Sequence, residues 1–130
     1  MPRLLRHRSN LASTHTDLGR AADALPLVER ALQITEAALG PDHPNVATAL
    51  GNLASIYKEL GRAADALPLD QWAVQITEAV LGPDHPDMAI RLGNLAVTYR
   101  KLGRAADALP LFERAQHIAR TARNPVEKNV

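Results

Sequence analysis

The chain contains no cysteine. That excludes a disulfide frame, a thiolate nucleophile and a cysteine-ligated zinc site. Aromatics are almost as scarce: one tryptophan, one phenylalanine and two tyrosines in 130 residues. Since 46% of the residues are still hydrophobic, the interior must be built from alanine and aliphatic side chains. Small residues of that kind suit closely approaching helices. Neither sign of charge dominates. The formal net charge is +1, so the chain lacks the electrostatic footprint of a nucleic-acid binder. It has no apolar run of about 18 residues, so no transmembrane helix is expected. Arg3, Arg6 and Arg8 lie near the N-terminus without an apolar segment behind them. No signal peptide is therefore expected, and a cytoplasmic setting is the default. Lysine is confined to Lys58, Lys101 and Lys128, to which no functional meaning attaches.

What the chain does have is repetition. The string LGRAADALPL begins at Leu18, at Leu60 and at Leu102, a period of 42 residues. Gly19, Gly61 and Gly103 hold this register, as do Asn10, Asn52 and Asn94, and Pro26, Pro68 and Pro110. A period of this size signals stacked supersecondary units that bury their apolar faces against one another. The expected domain is a single array over 1–130, with repeats at about 2–43, 44–85 and 86–127.

The middle unit is the clearest. Pro44 suits a first helical turn, where its missing N–H costs nothing. Val46, Ala49, Leu50, Leu53, Ala54, Tyr57 and Leu60 then follow the spacing of an amphipathic helix. Gly61 is a natural left-handed stop. A second stripe runs through Ala63, Ala66, Leu67, Asp70, Ala73, Val74, Val80 and Leu81 before Gly82-Pro83 ends it. Each unit reads as two antiparallel helices, A and B. The expected fold is all-α, a superhelical array of three antiparallel helix hairpins (an α-solenoid). Its six helices fall near 3–18, 20–39, 44–60, 62–81, 86–102 and 104–122. The prolines inside the B helices each remove one backbone hydrogen bond, which predicts a kink or a helix start nearby and serves curvature rather than binding.

The segments GPDHPNVATALGNLASIYKELGRAADALPL at 40–69 and GPDHPDMAIRLGNLAVTYRKLGRAADALPL at 82–111 resemble the tetratricopeptide repeat. The closer resemblance is to the 42-residue form found in kinesin light chains and related bacterial arrays. Leu50, Leu53, Ala54, Tyr57, Gly61, Ala66 and Ala73 match that family's packing positions. The resemblance implies a right-handed superhelix whose A helices line a concave, peptide-holding groove. The first repeat departs from the pattern, with Arg8 for the leucine of Leu50 and Leu92, and His15 for the tyrosine of Tyr57 and Tyr99. A polar outer helix is what a terminal cap needs.

Asn10, Asn52 and Asn94 lead the candidate binding residues. Asparagine is a poor helix-interior residue, yet it recurs mid-helix on the polar stripe shared with Asn45, Thr48, Ser55 and Glu59. An amide both donates and accepts, so a row of amides can pair with an extended peptide backbone, the role the resemblance implies. The alternative is that each holds a neighbouring helix. Gly51 and Gly93, mid-helix beside two of them, are read first as sites of close helix contact. Lys58, Arg91 and Arg100, with Arg6 and Lys101, suggest a preference for acidic peptides, although charge on a helix is more often a solvated face. Ser9, Gly51 and Gly93 stand where some tetratricopeptide proteins carry a carboxylate-clamp lysine, so that mode is not expected.

Asp70 and Trp72 break the internal symmetry, replacing Val28/Phe112 and Arg30/Arg114. A carboxylate on the core stripe is costly unless paired. Trp72 is read first as repacked core over Leu69 and Ile76, and second as a contact anchor. His43 and His85 are copies of one turn position, read as helix-start geometry. No convergent catalytic grouping and no phosphate-cradling glycine loop occurs. No enzyme activity, cofactor or metal is expected, and the partner is a protein or peptide. At the C-terminal end, Asn124-Pro125 echoes a repeat boundary and no helix follows to cover Leu109 and Phe112. Homo-oligomerisation through this uncapped hairpin is the competing functional reading.

Overall fold

A computed structural model describes the backbone of residues 2–123 and the side chains of residues 17–123. It contains five helices: α1 (Pro2–Leu39), α2 (Pro44–Glu59), α3 (Ala63–Leu81), α4 (Pro86–Lys101) and α5 (Ala105–Arg123). Consecutive helices pack on one another, and α2 also touches α4. That is the contact pattern of a solenoid, in which each unit meets only its neighbours. The expected boundaries of the last four helices hold to within one residue.

Two hairpins, α2–α3 and α4–α5, turn in the same way. Gly61 and Gly103 adopt φ of +74° and +77°, the left-handed conformation that a side chain disfavours. The N–H of Arg62 donates to the Tyr57 carbonyl at 2.8 Å, and that of Arg104 to the Tyr99 carbonyl at 2.8 Å. Each arginine then stacks over the tyrosine five positions back, 4.7 Å and 4.6 Å from the ring centroid. Each also pairs at 2.8 Å with the aspartate three positions on, Asp65 or Asp107.

The first repeat does not turn. The helices expected at 3–18 and 20–39 are one continuous helix of 38 residues. Gly19 is not among the glycines of positive φ, and nothing lies within 4 Å of the position its Cβ would take. The sequence carries the physical reason. His15 stands where the other two turns place the tyrosine that Arg62 and Arg104 stack upon, and Arg8 removes a core leucine from the face that would fold back. The side chains of Asn10, Arg6, Arg8 and His15 and the expected repeat boundary at Asn124-Pro125 lie outside the described residues.

The core has two centres. Val46, Ala47, Leu50, Ala73 and Ile76 form one, against which Leu32, Leu69 and Trp72 pack. Met88, Leu92 and Ile118 form the other. Trp72 is thus half-buried cover over the first centre, as the repacked-core reading expects. Pro68 and Pro110 lie inside α3 and α5, which begin five residues earlier at Ala63 and Ala105, so these prolines do not start the helices. His43 and His85 cap helix starts: Nδ1 accepts from the backbone N–H of Asn45 at 3.0 Å and of Asp87 at 3.1 Å. Successive repeats are also tied 28 positions apart. Tyr57 donates to Glu29 Oε1 at 3.3 Å, and Gln71 Nε2 donates to the Tyr99 hydroxyl at 3.2 Å.

Candidate functional site

The polar faces of α2 and α4 carry the residues expected to bind. Asn52 is exposed, while Asn94, Ser55 and Arg91 are half-buried and Arg100 is exposed. The two described asparagines therefore have unequal surroundings. The Asn94 amide lies toward the adjacent helix, 3.7 Å from where a Gly51 Cβ would stand, whereas Asn52 borders an open cleft.

Gly51 has a specific cause. Arg91 reaches across from α4 to donate to the Thr48 hydroxyl at 3.3 Å, and its guanidinium passes over Gly51. A Cβ there would stand 2.5 Å from Arg91 Nη1. The glycine makes room for a neighbouring side chain rather than for the helix backbone. Burial pulls the Arg91 guanidinium below its ordinary range, and Asp87 and Asp70 pull it back up. Gly93, one repeat later, faces nothing within 4 Å. Replacing it by alanine is expected to raise stability by about 0.5–1 kcal/mol in urea denaturation, since only its helix penalty is removed. Gly51→Ala is expected to gain less, because it displaces Arg91.

Lys58 is not offered to solvent. Its side chain is only 8% exposed, and Nζ lies 3.4 Å from Asp70 Oδ2 and donates to the Asn94 carbonyl at 3.2 Å. Asp70 itself is buried and takes a hydrogen bond at Oδ2 from Thr98 Oγ1, while its Oδ1 has no hydrogen-bond partner among the described residues. Burial pushes the Asp70 carboxyl above its ordinary value near 3.8, against the downward pull of Thr98, Lys58 and Arg91. Thr98 Oγ1 also lies 3.1 Å from the Asn94 carbonyl. One hydroxyl proton cannot serve both oxygens.

Sequence reading missed Thr98, although a signal was present. The pair 28 positions apart is Val28 and Ile56 in one copy and Asp70 and Thr98 in the next, so two apolar positions turn polar together. The residue facing Asp70 changes with it. Lys58 corresponds to Arg100, which lies over the ring of Phe112 at 5.8 Å. Phe112 is accordingly half-buried, while Leu109 is 59% exposed.

A second feature is a cleft of about 500 Å³ between the C-terminal half of α1 and the face of α2 that bears Asn45, Thr48, Ala49 and Asn52. It sits beside Ala31, Ile34 and Thr35, the copies of Ala73, Ile76 and Thr77. Sequence reading gave no sign of it, because it exists only where α1 fails to fold back.

The tetratricopeptide repeat profile matches residues 3–79 and again 51–121. The chain belongs to the tetratricopeptide repeat family. Repeats of this family generally mediate protein–protein interaction, and the fold is an interaction fold rather than a catalytic one. The chain is similar to the crystal structure of nearly identical TPR-like repeats of a kinesin-light-chain-type protein from Podosopora anserina. The TM-score is 0.75 at 26% identity, over 94% of this chain and 58% of that one. A variant of that protein matches with a TM-score of 0.70 at 28% identity, over 89% of this chain and again 58% of the other. This tetratricopeptide chain thus spans less than two thirds of the length of both structures. No curated protein matches it. Among the described residues no helix is long and apolar enough to cross a membrane.

Proposed function

We propose that this tetratricopeptide array is a scaffold or adaptor module that holds an extended peptide along the polar faces of its A helices. The array is one repeat domain over 1–130, with units at about 2–43, 44–85 and 86–127. Asn52 carries the reading. It is exposed at mid-helix, where asparagine is unfavourable, and its amide both donates and accepts. Asn94 supplies a second amide on α4, with Ser55, Arg91 and Arg100 around the pair, and Asn10 occupies the same register in the first copy. Arg100 and Lys101 are exposed and favour an acidic peptide. Lys58 contributes indirectly, by anchoring the Asn94 carbonyl through its bond with that atom.

Panning an acidic peptide library against the protein tests this. Asn52→Ala and Asn94→Ala are each expected to weaken a selected peptide about 3- to 10-fold, the loss of one hydrogen bond. Binders whose affinity is indifferent to both substitutions would sink the proposal. A second reading, association through the C-terminal hairpin, draws on Leu109. It is exposed where its counterpart Leu67 in α3 is half-buried, since no helix follows α5 among the described residues.

A further inference from the structure

The open first repeat leaves a helix seat empty. In the second repeat, α2 folds back on α3 and buries Ala73 and Ile76, the latter to 3% exposure. Their copies in α1, Ala31 and Ile34, are exposed, Ile34 to 56%. The cleft beside them, about 500 Å³, is where a helix A of the first repeat would lie by analogy with α2 on α3. The segment suited to it, residues 2–18, instead continues α1 without a break. At a rise of 1.5 Å per residue it runs about 25 Å past Gly19, too far along the axis to reach its own seat.

We infer that this segment fills the same seat on a second copy of the chain. Within a hairpin, A and B run antiparallel. Two continuous α1 helices laid antiparallel, with a two-fold axis near Gly19, place residues 2–18 of each copy along residues 20–39 of the other. Both seats fill at once, so the contact is isologous and closes at a dimer. The occupant is specified by sequence: residues 2–18 are the register copy of 44–60, which fill this place one repeat on. Arg8, in the register of Leu50, is the same misfit in either seating, and what the exchange avoids is the turn at Gly19, which lacks the tyrosine of the other two. The exchange also extends the row of A helices, setting the second copy's Asn10 in register beside Asn52 and Asn94. The inference does not depend on peptide recognition, and mass rather than peptide affinity reads it.

Gly19 is the hinge. Closing the hairpin requires the positive φ seen at Gly61 and Gly103, whereas the open form keeps Gly19 helical with free space around it. Alanine opposes the first conformation and favours the second. Sedimentation equilibrium of the full chain is expected to show a monomer–dimer system. Gly19→Ala should tighten the dimer about tenfold or more, and His15→Tyr, which restores the tyrosine of the other two turns, should loosen it. Ile34→Glu should leave a folded monomer, because Ile34 is already exposed and the rest of the array does not rely on it. Leu109→Glu should leave the dimer intact. A strict monomer at every concentration would overturn the inference, as would assembly that grows beyond a dimer. So would a dimer lost with Leu109→Glu but kept with Ile34→Glu, or one indifferent to Gly19→Ala.

Discussion

Replacing Lys58 by alanine is expected to cost about 3–5 kcal/mol of folding free energy in urea denaturation near neutral pH. The charge it would abandon is buried: Asp70 has no exposure to speak of, and one carboxylate oxygen already lacks a partner. Removing the ammonium 3.4 Å away leaves the Thr98 hydroxyl and the weaker pull of Arg91 to hold that group. The loss should depend on pH, with a sign set by burial. Asp70 ionises less readily in the folded chain than in the unfolded one. The folded state therefore binds more protons, and stability is greatest below the ordinary carboxylate value and falls as pH rises through the raised one. Without Lys58 the folded value climbs further. The variant should approach the parent protein in acid, where Asp70 is neutral in every state, and diverge from it as pH rises. A penalty independent of pH would show that Lys58 acts through packing alone.

The second large effect has the opposite sign. Changing Asp70→Val together with Thr98→Ile restores the apolar pair that the preceding repeat carries as Val28 and Ile56. Replacing both members of a buried ion pair by packed hydrophobic residues commonly gains about 1–4 kcal/mol. Here Lys58 stays and has to carry its ammonium to solvent, so a gain at the low end, about 1 kcal/mol, is expected. Lys58 tolerates the change by giving up its buried position, since its stem is long enough to carry the ammonium outward. Arg100 over Phe112 shows the same juxtaposition of a cation with an apolar neighbour one repeat later. Thr98→Ile alone should destabilise, since it strips Asp70 of its hydrogen bond. The two substitutions should therefore be strongly non-additive in a double-mutant cycle. The double variant should also lose the pH dependence that Asp70 imposes. A double variant less stable than the parent would refute this account of the cluster.

Both predictions start from departures in an otherwise regular sequence. Lys58 stood on the polar stripe by helical spacing, and Asp70 on the apolar one. Spacing places a residue on a face, but not the direction in which a long side chain leans. Lys58 leans inward because a buried carboxylate is there to receive it. The same holds for Gly51, whose missing side chain makes sense only once Arg91 is seen passing over it to Thr48.

The 42-residue register determined the helical elements from residue 44 onward, their glycine turns, their histidine caps and their family. Each of those rests on interactions within a few residues, which recur wherever the local string recurs. Whether the first repeat closes was decided by contacts between its two halves, not by the string at the turn. LGRAADALPL is the same string at Leu18 as at Leu60 and Leu102, yet it turns only in the last two copies. A hairpin is held by what its first helix offers its second: the tyrosine under the arginine and the leucine facing the core. The string at the turn contains neither. They lie upstream, where His15 and Arg8 stand in the first copy, and there the glycine joins a helix instead of ending one.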